Sequence, residues 1–256
     1  MQNTLSLQEF TFEYDATELP PPYAHFLKIS GSIIDNAVAV NTEFHYTDRE
    51  ELSEEDILAE GFTADDDFTW SGELPLIWRD VLEALPSSPK EGKWDSIATI
   101  EVELVDKFQG NQVIRNDNRY YYFSQELLQA SLEKSGREKP LQINYCTVQK
   151  NNTLEISRFS LHFSFTERAA KLADLASDKS ITLGWEAGQA LLKKIFMLDF
   201  IPEQADEQLP SVPGDYIDPG DGLWYKLSHA ALNPGKKDIA KGLIEEFSIL
   251  NESFNK

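Results

Sequence analysis

The segment LQINYCTVQKNNTLEISRFSLHFSF, residues 141–165, decides the fold class. Its first apolar residues, Leu141, Ile143 and Tyr145, fall on odd positions with Gln142 and Asn144 between them, the period-two alternation of a strand with one wet face. Asn151 and Asn152 tolerate the positive φ of a tight type I′ turn, so residues 141–149 and 154–165 are expected to pair as an antiparallel hairpin. In the second strand Leu154 and Ile156 lie on even positions, whereas Phe159, Leu161, Phe163 and Phe165 lie on odd ones. A one-residue slip sends every following side chain to the opposite face, so this parity change predicts a β-bulge at Ser157 and Arg158 opposite Cys146. The alternative is a strand buried on both faces.

The same alternation recurs upstream. Phe10, Phe12 and Tyr14 mark one strand, residues 24–29 a second, and Val38, Val40, Phe44 and Tyr46 a third. Residues 19–22, Leu-Pro-Pro-Pro, read as a rigid extended connector. Phe68 and Trp70 precede a helix carrying Leu76, Ile77, Val81, Leu82 and Leu85. Ile100, Val102 and Leu104 alternate with Glu101 and Glu103, and a turn at Gly110 predicts a second hairpin. Tyr120 to Phe123 read as the end of a strand leading into a helix capped by Ser124 and stopped at Gly136.

Beyond residue 166 the pattern turns helical. Ala169, Leu172, Ala173 and Ala176 form one stripe, residues 185–200 are apolar nearly all round and predict a buried helix ending at Pro202, and Ile239, Leu243, Phe247 and Leu250 mark a last helix. Between these helices runs a long acidic loop, 203–222, punctuated by Pro210, Pro213 and Pro219, with no predicted element. No internal repeat is evident. The fold class is therefore α+β: a mainly antiparallel sheet of hairpins and meanders covered by helices on one face, with a helical C-terminal third. Three parts follow. Residues 1–88 form an acidic strand-rich part, 93–166 a ββαββ part sharing or extending the same sheet, and 167–256 the helical part; the boundary is placed in the Pro/Ser/Gly-rich stretch 86–92.

Charge bounds the function. Residues 1–90 hold 19 Asp and Glu against 4 Lys and Arg, residues 91–175 hold 12 against 11, and residues 176–256 hold 13 against 8, giving the net −21. Such a surface repels phosphate backbones and anionic membranes, so neither nucleic acid nor membrane is an expected partner. A hydrophobic content of 41 % is enough to build a core. The N-terminus carries neither a basic flank nor an apolar run, no stretch reaches the length of a membrane span, and the single cysteine, Cys146, suits a reducing compartment, so cytoplasmic residence is expected.

Half of the residues from 48 to 67, DREELSEEDILAEGFTADDD, are carboxylates opposed by Arg49 alone. Ser53 as N-cap, Asp56 as capping-box acid, Leu52 with Ile57 as staple and Gly61 as stop predict a helix over 54–60. Glu54, Glu55, Asp65, Asp66 and Asp67, with Trp70, are the candidate binding residues for a basic protein partner.

Catalytic signals are sparse. G-x-S-x-G, G-x-G-x-x-G, the phosphate-binding G-x-x-x-x-G-K-[ST] and the zinc spacings H-x-x-x-H and H-x-E do not occur, and the sequence implies no cofactor and no metal site. Asp215, Asp218 and Asp221 have a regular spacing that would suit a divalent cation, though turn formation is the stronger explanation of it. His45 is a candidate base oriented by Glu43 or Asp48. Cys146 and His162 would form a thiolate pair, but the hairpin register sets them four residues apart along the sheet. The run Tyr120 to Phe123, with Arg115 and Arg119 nearby, is a candidate stacking platform. The expectation is a non-catalytic adaptor or inhibitor; the alternative is a carboxylate-dependent hydrolase assisted by a divalent cation.

Overall fold

A computed structural model of the chain describes residues 6–63, 65–85, 94, 96–150, 154–177, 179–228 and 234–254. The fold is α+β, with two six-stranded sheets in which every pair is antiparallel. The chain divides into two compact units: Met1–Glu138 with Phe165–Glu167, and Lys139–Ser164 with Arg168–Lys256. Both the boundary placed at 86–92 and the hairpin turn at 151–152 lie outside the described residues.

Unit 1 contains β1 (Leu7–Asp15), β2 (His25–Ile34), β3 (Ala37–Tyr46), α1 (Glu54–Ala59), β4 (Phe68–Pro75), α2 (Ile77–Ala84), β5 (Thr99–Asp106), β6 (Gly110–Arg115) and α3 (Asn118–Ser135). Its sheet runs β4-β3-β2-β1-β5-β6. Alternation decides what is buried: Phe10, Phe12, Leu27, Ile29, Val38, Val40, Val102 and Leu104 cluster with Trp78 and Leu82 of α2 and with Tyr120, Phe123 and Leu127 of α3. The ring of Phe10 lies over Gly31, directly across the ladder, where a Cβ would sit 2.3 Å from it.

Local chemistry sets α1 as its sequence implies. Ser53 Oγ accepts from Asp56 N–H while the Asp56 carboxylate accepts from Ser53 N–H, completing the capping box. At the other end Gly61 takes φ +84°, and the bonds from Phe62 N to Ile57 O and from Gly61 N to Leu58 O close the helix.

Unit 2 contains β7 (Leu141–Lys150), β8 (Leu154–Ser164), β9 (Ala169–Asp174), β10 (Ser180–Leu183), α4 (Trp185–Ile195), β11 (Gly214–Asp218), β12 (Tyr225–Lys226) and α5 (Pro234–Ser253), with sheet order β10-β9-β8-β7-β11-β12. Ile143, Tyr145, Phe159, Leu161, Phe163 and Ile217 pack with Leu191 and Ile195 of α4 and with Leu243 and Phe247 of α5. Numbering strands within each unit gives one order, 4-3-2-1-5-6, and in both a helix follows the fourth strand and another the sixth. The chain is thus two copies of one connectivity, a repeat of architecture that the sequence does not display.

Several expectations are corrected. Pairing in the β7–β8 hairpin runs without interruption through Cys146↔Arg158, Thr147↔Ser157 and Val148↔Ile156, so there is no bulge at Ser157 and Arg158. The parity change has another cause: on the face away from α5, Cys146, Val148 and Tyr216 make a small second cluster with Trp224, and Ile156 opposes Val148 on that side. Ala169 to Asp174 is a strand rather than a helix, because Ala170 and Leu172 pair across to Phe163 and Leu161 and turn into the core. Residues 167–256 therefore hold four strands besides α4 and α5. The buried helix predicted to Phe200 ends at Ile195, with Phe196 54 % and Met197 48 % exposed. The stretch 203–222 contains β11, which pairs with β7. Tyr120 to Phe123 belong to α3, capped by Asp117 rather than Ser124. Residues 19–22 bend through turns closed by Leu19 N to Ala16 O and Tyr23 N to Pro20 O. Among the described residues no helix is long and apolar enough to cross a membrane.

Candidate functional site

Arg49, the lone base of the acidic segment, is its organiser. Its guanidinium lies over the rings of Tyr46 at 3.5 Å and Phe62 at 4.7 Å, and donates to Pro22 O, Thr63 O and the Asp66 carboxylate. Burial works to raise the Asp66 pKa, but hydrogen bonds from the Thr63 hydroxyl and N–H and from Arg49 outweigh it and hold the carboxyl below its ordinary range. Asp67 behaves alike: against partial burial, His45 Nδ1 at 2.9 Å and Tyr46 N–H at 2.9 Å hold its carboxyl low. Arg137 donates to the carbonyls of Asp65 and Asp67.

The six candidate binding residues thus separate into three settings. Glu54 and Glu55 stand exposed in the first turn of α1, where the helix dipole favours them, and Asp65 is exposed at the turn before β4. Asp66 and Asp67 are engaged in holding that turn. Trp70 points to the core side of the sheet, its ring over Gly72.

A broader acidic surface lies on the sheet of unit 1, on the face away from α2 and α3. Register aligns Thr69, Glu43, Lys28, Glu13, Glu101 and Arg115 in one row across all six strands, and Ser71, Asn41, Ser30, Thr11, Glu103 and Val113 in the next. A third row adds Glu9 and Glu73. Lys28 pairs with Glu13 at 2.7 Å and Arg115 with Glu101 at 2.5 Å, leaving Glu9, Glu43, Glu73 and Glu103 exposed on a face otherwise mostly of Ser, Thr and Asn, with Val113 at its β6 edge. Glu13, Glu43, Glu101 and Glu103 fall at wet positions of strands that the alternation predicts, whereas Glu73 lies on β4, which it does not predict. Their assembly into one face depends on strand order, which the sequence did not disclose.

Other candidate chemistry disperses. His45 is oriented by Asp67, not by Glu43 or Asp48. Cys146 opposes Arg158 and His162 opposes Gln142, and burial pushes the thiol up to about 11. Asp218 accepts from Gly220 and Gly222 N–H and from Asn144, Asp221 from Leu223 N–H and the Tyr225 hydroxyl, and Asp215 from Tyr145 and Thr147. These three carboxylates serve three separate networks. Among the described residues no group of three or more His, Cys, Asp and Glu side chains is placed to hold a metal ion. In α3, Tyr120 and Phe123 are core while Tyr122 is 65 % exposed, which dissolves the stacking platform.

Each unit has a cavity among its described residues. That of unit 1, about 270 Å³, is walled by Phe44, Tyr46, Phe62 and Phe68 with Asp66, Arg137 and Glu138 among its lining. Arg49 and Arg137 already lie over three of those rings. That of unit 2, about 310 Å³, is lined by residues of β7, β8, β11 and α5, and among the described residues Asp215 is the one carboxylate in its lining. No protein-family model matches the chain, and no curated protein or solved structure is significantly similar to it.

Proposed function

We propose that this is a non-catalytic binding protein whose first unit presents an acidic surface to a basic protein partner, acting as an adaptor or inhibitor inside the cell. The observation that carries the reading is the open face of the unit 1 sheet, which exposed glutamates from β1, β3, β4 and β5 share. Exposed glutamates on paired strands repel one another, and a cationic surface laid over them relieves that repulsion while steering encounter over long range. Glu54, Glu55 and Asp65 would extend the same field. A lone, buried cysteine fits a reducing compartment.

The test is affinity capture at low and high salt with two variants, E43Q/E73Q/E101Q/E103Q on the sheet and E54Q/E55Q/D65N on the acidic segment. Asp66 and Asp67 are left intact because they hold the turn. The sheet variant is expected to weaken partner association by roughly tenfold or more at low salt and little at high salt, with a smaller loss for the second variant. A partner whose capture ignores both salt and the sheet substitutions would end this reading.

A further inference from the structure

We propose that the unit 2 cavity is a binding site for a small organic amine, with Asp215 as counter-ion to the ligand's ammonium group. The inference is independent of the surface proposed for unit 1. On β11, Asp215 alternates with Tyr216 and so turns to the same side of the sheet as Ile217 and Tyr145, toward α5. One of its oxygens, Oδ1, accepts from the hydroxyls of Tyr145 and Thr147, both at 2.8 Å. Burial pushes the Tyr145 phenol well above its ordinary value, and Asp215 adds to this, so the tyrosine stays a neutral donor. Among the described residues Asp215 pairs with no Lys, Arg or His. Lys226 belongs to the other side of β11, donating to Pro213 O and lying over Tyr216.

The cavity mixes polar and apolar walls, and a half-buried carboxylate in it that meets two neutral hydroxyl donors and no cation keeps acceptor capacity that an ammonium ion can fill. The walls select the rest of the ligand. Phe247 stacks on Tyr145 at 4.1 Å, and with Phe159 and Ile244 these rings form an apolar flank, while Ser157 and Asn251 add polar groups. An anionic ligand is repelled by Asp215. A divalent cation would need several further hard oxygen anions, which the lining lacks. At about 310 Å³ the cavity sits at the small end of ligand sites, in keeping with an amine bearing one ring or a short chain.

The test is a calorimetric titration of the full chain with phenethylamine, protonated at neutral pH, and with its uncharged isostere 2-phenylethanol. Saturable binding of the amine is expected, with the alcohol weaker by roughly tenfold or more. In Asp215→Asn the amide oxygen can still accept both hydroxyls, so the fold is kept while the preference for amine over alcohol disappears. Ser248→Trp, on an exposed lining position of α5 away from the carboxylate, should block both ligands. Equal binding of amine and alcohol, undiminished amine binding by Asp215→Asn, or no saturable amine binding at millimolar concentration would overturn the assignment.

Discussion

Units 1 and 2 share a connectivity and differ in almost everything laid on it. In unit 1 the sheet face away from the helices carries Glu13, Glu43, Glu101 and Glu103 with Lys28 and Arg115; in unit 2 the corresponding face carries Arg158, Lys171 and Lys226 with Asp218, and Cys146, Val148 and Tyr216 between them. The link from third to fourth strand spans residues 47–67 in unit 1, including α1 and the acidic turn, but only 175–179 in unit 2. The covered faces remain alike. Phe123 of α3 stacks on Phe12 of β1 at 5.5 Å, and Phe247 of α5 on Tyr145 of β7 at 4.1 Å. An alternating apolar face and a terminal helix bearing an aromatic are what the two sheets share, while net charge and the third connection differ.

If each unit has its own core, truncating one should spare the other. Phe12→Ala and Phe247→Ala are each expected to cost about 3–5 kcal/mol, with amide exchange rising in the strands of the mutated unit alone. Equal loss of protection in both units would mean that the two cores are not separate. A smaller effect concerns how closely helix approaches sheet in unit 2. At Gly188 in α4 a Cβ would lie 2.6 Å from the Ala170 Cβ and 2.9 Å from the Phe163 ring. Helix propensity favours alanine there by about 1 kcal/mol, whereas overpacking costs about 1–3 kcal/mol. Gly188→Ala should therefore lower the urea midpoint, and a raised midpoint would show that the contact can relax.

The smallest expected effect is on the cap of α3. Asp117 accepts from Arg119 N–H at 2.9 Å, and hydrogen bonding from the Arg119 guanidinium is the main reason that its carboxyl sits below the ordinary 3.8. Because the folded-state value is depressed, this contribution is present above the unfolded-state pKa and is lost as pH falls through the folded one. Asp117→Ala should cost about 1 kcal/mol at neutral pH and measurably less once the carboxyl is protonated in strong acid. Substitutions in unit 2 should leave this acid-dependent increment unchanged. A wild-type and Asp117→Ala pair whose stability difference stays constant between neutral and strongly acidic pH would contradict it.

What the sequence made legible was local. Ser53, Asp56 and Gly61 define α1 through contacts within nine residues, and the odd-position apolar residues of β7 and β8 gave the correct pairing of Tyr145 with Phe159 and of Gln142 with His162. Illegible were features decided at long range. Ala169, Leu172 and Ala173 fit a helix or a strand equally, and only pairing with β8 makes them β9. β11 is five residues between prolines, recruited by a strand some 70 positions earlier, as the Tyr145 hydroxyl to Asp215 contact measures. The run Tyr120 to Phe123 has β propensity, but Asp117 and the burial of Tyr120, Phe123 and Leu127 along one helical stripe override it. For the same reason the Asp215 cavity left no trace in spacing, and the acidic sheet face emerged only when strands from positions 7 to 115 were set in order.

Cys146 sits fully buried in the middle of this second sheet, and burial pushes its thiol up to about 11, which disfavours the reactive thiolate at neutral pH. Alkylation of Cys146 in the native chain is therefore expected to be slow and to require an opening of β7 from β8 and β11. Nature has supplied unit 2 with a single-site chemical clock, one whose ticking rate measures how often that sheet comes apart and which needs no engineered probe.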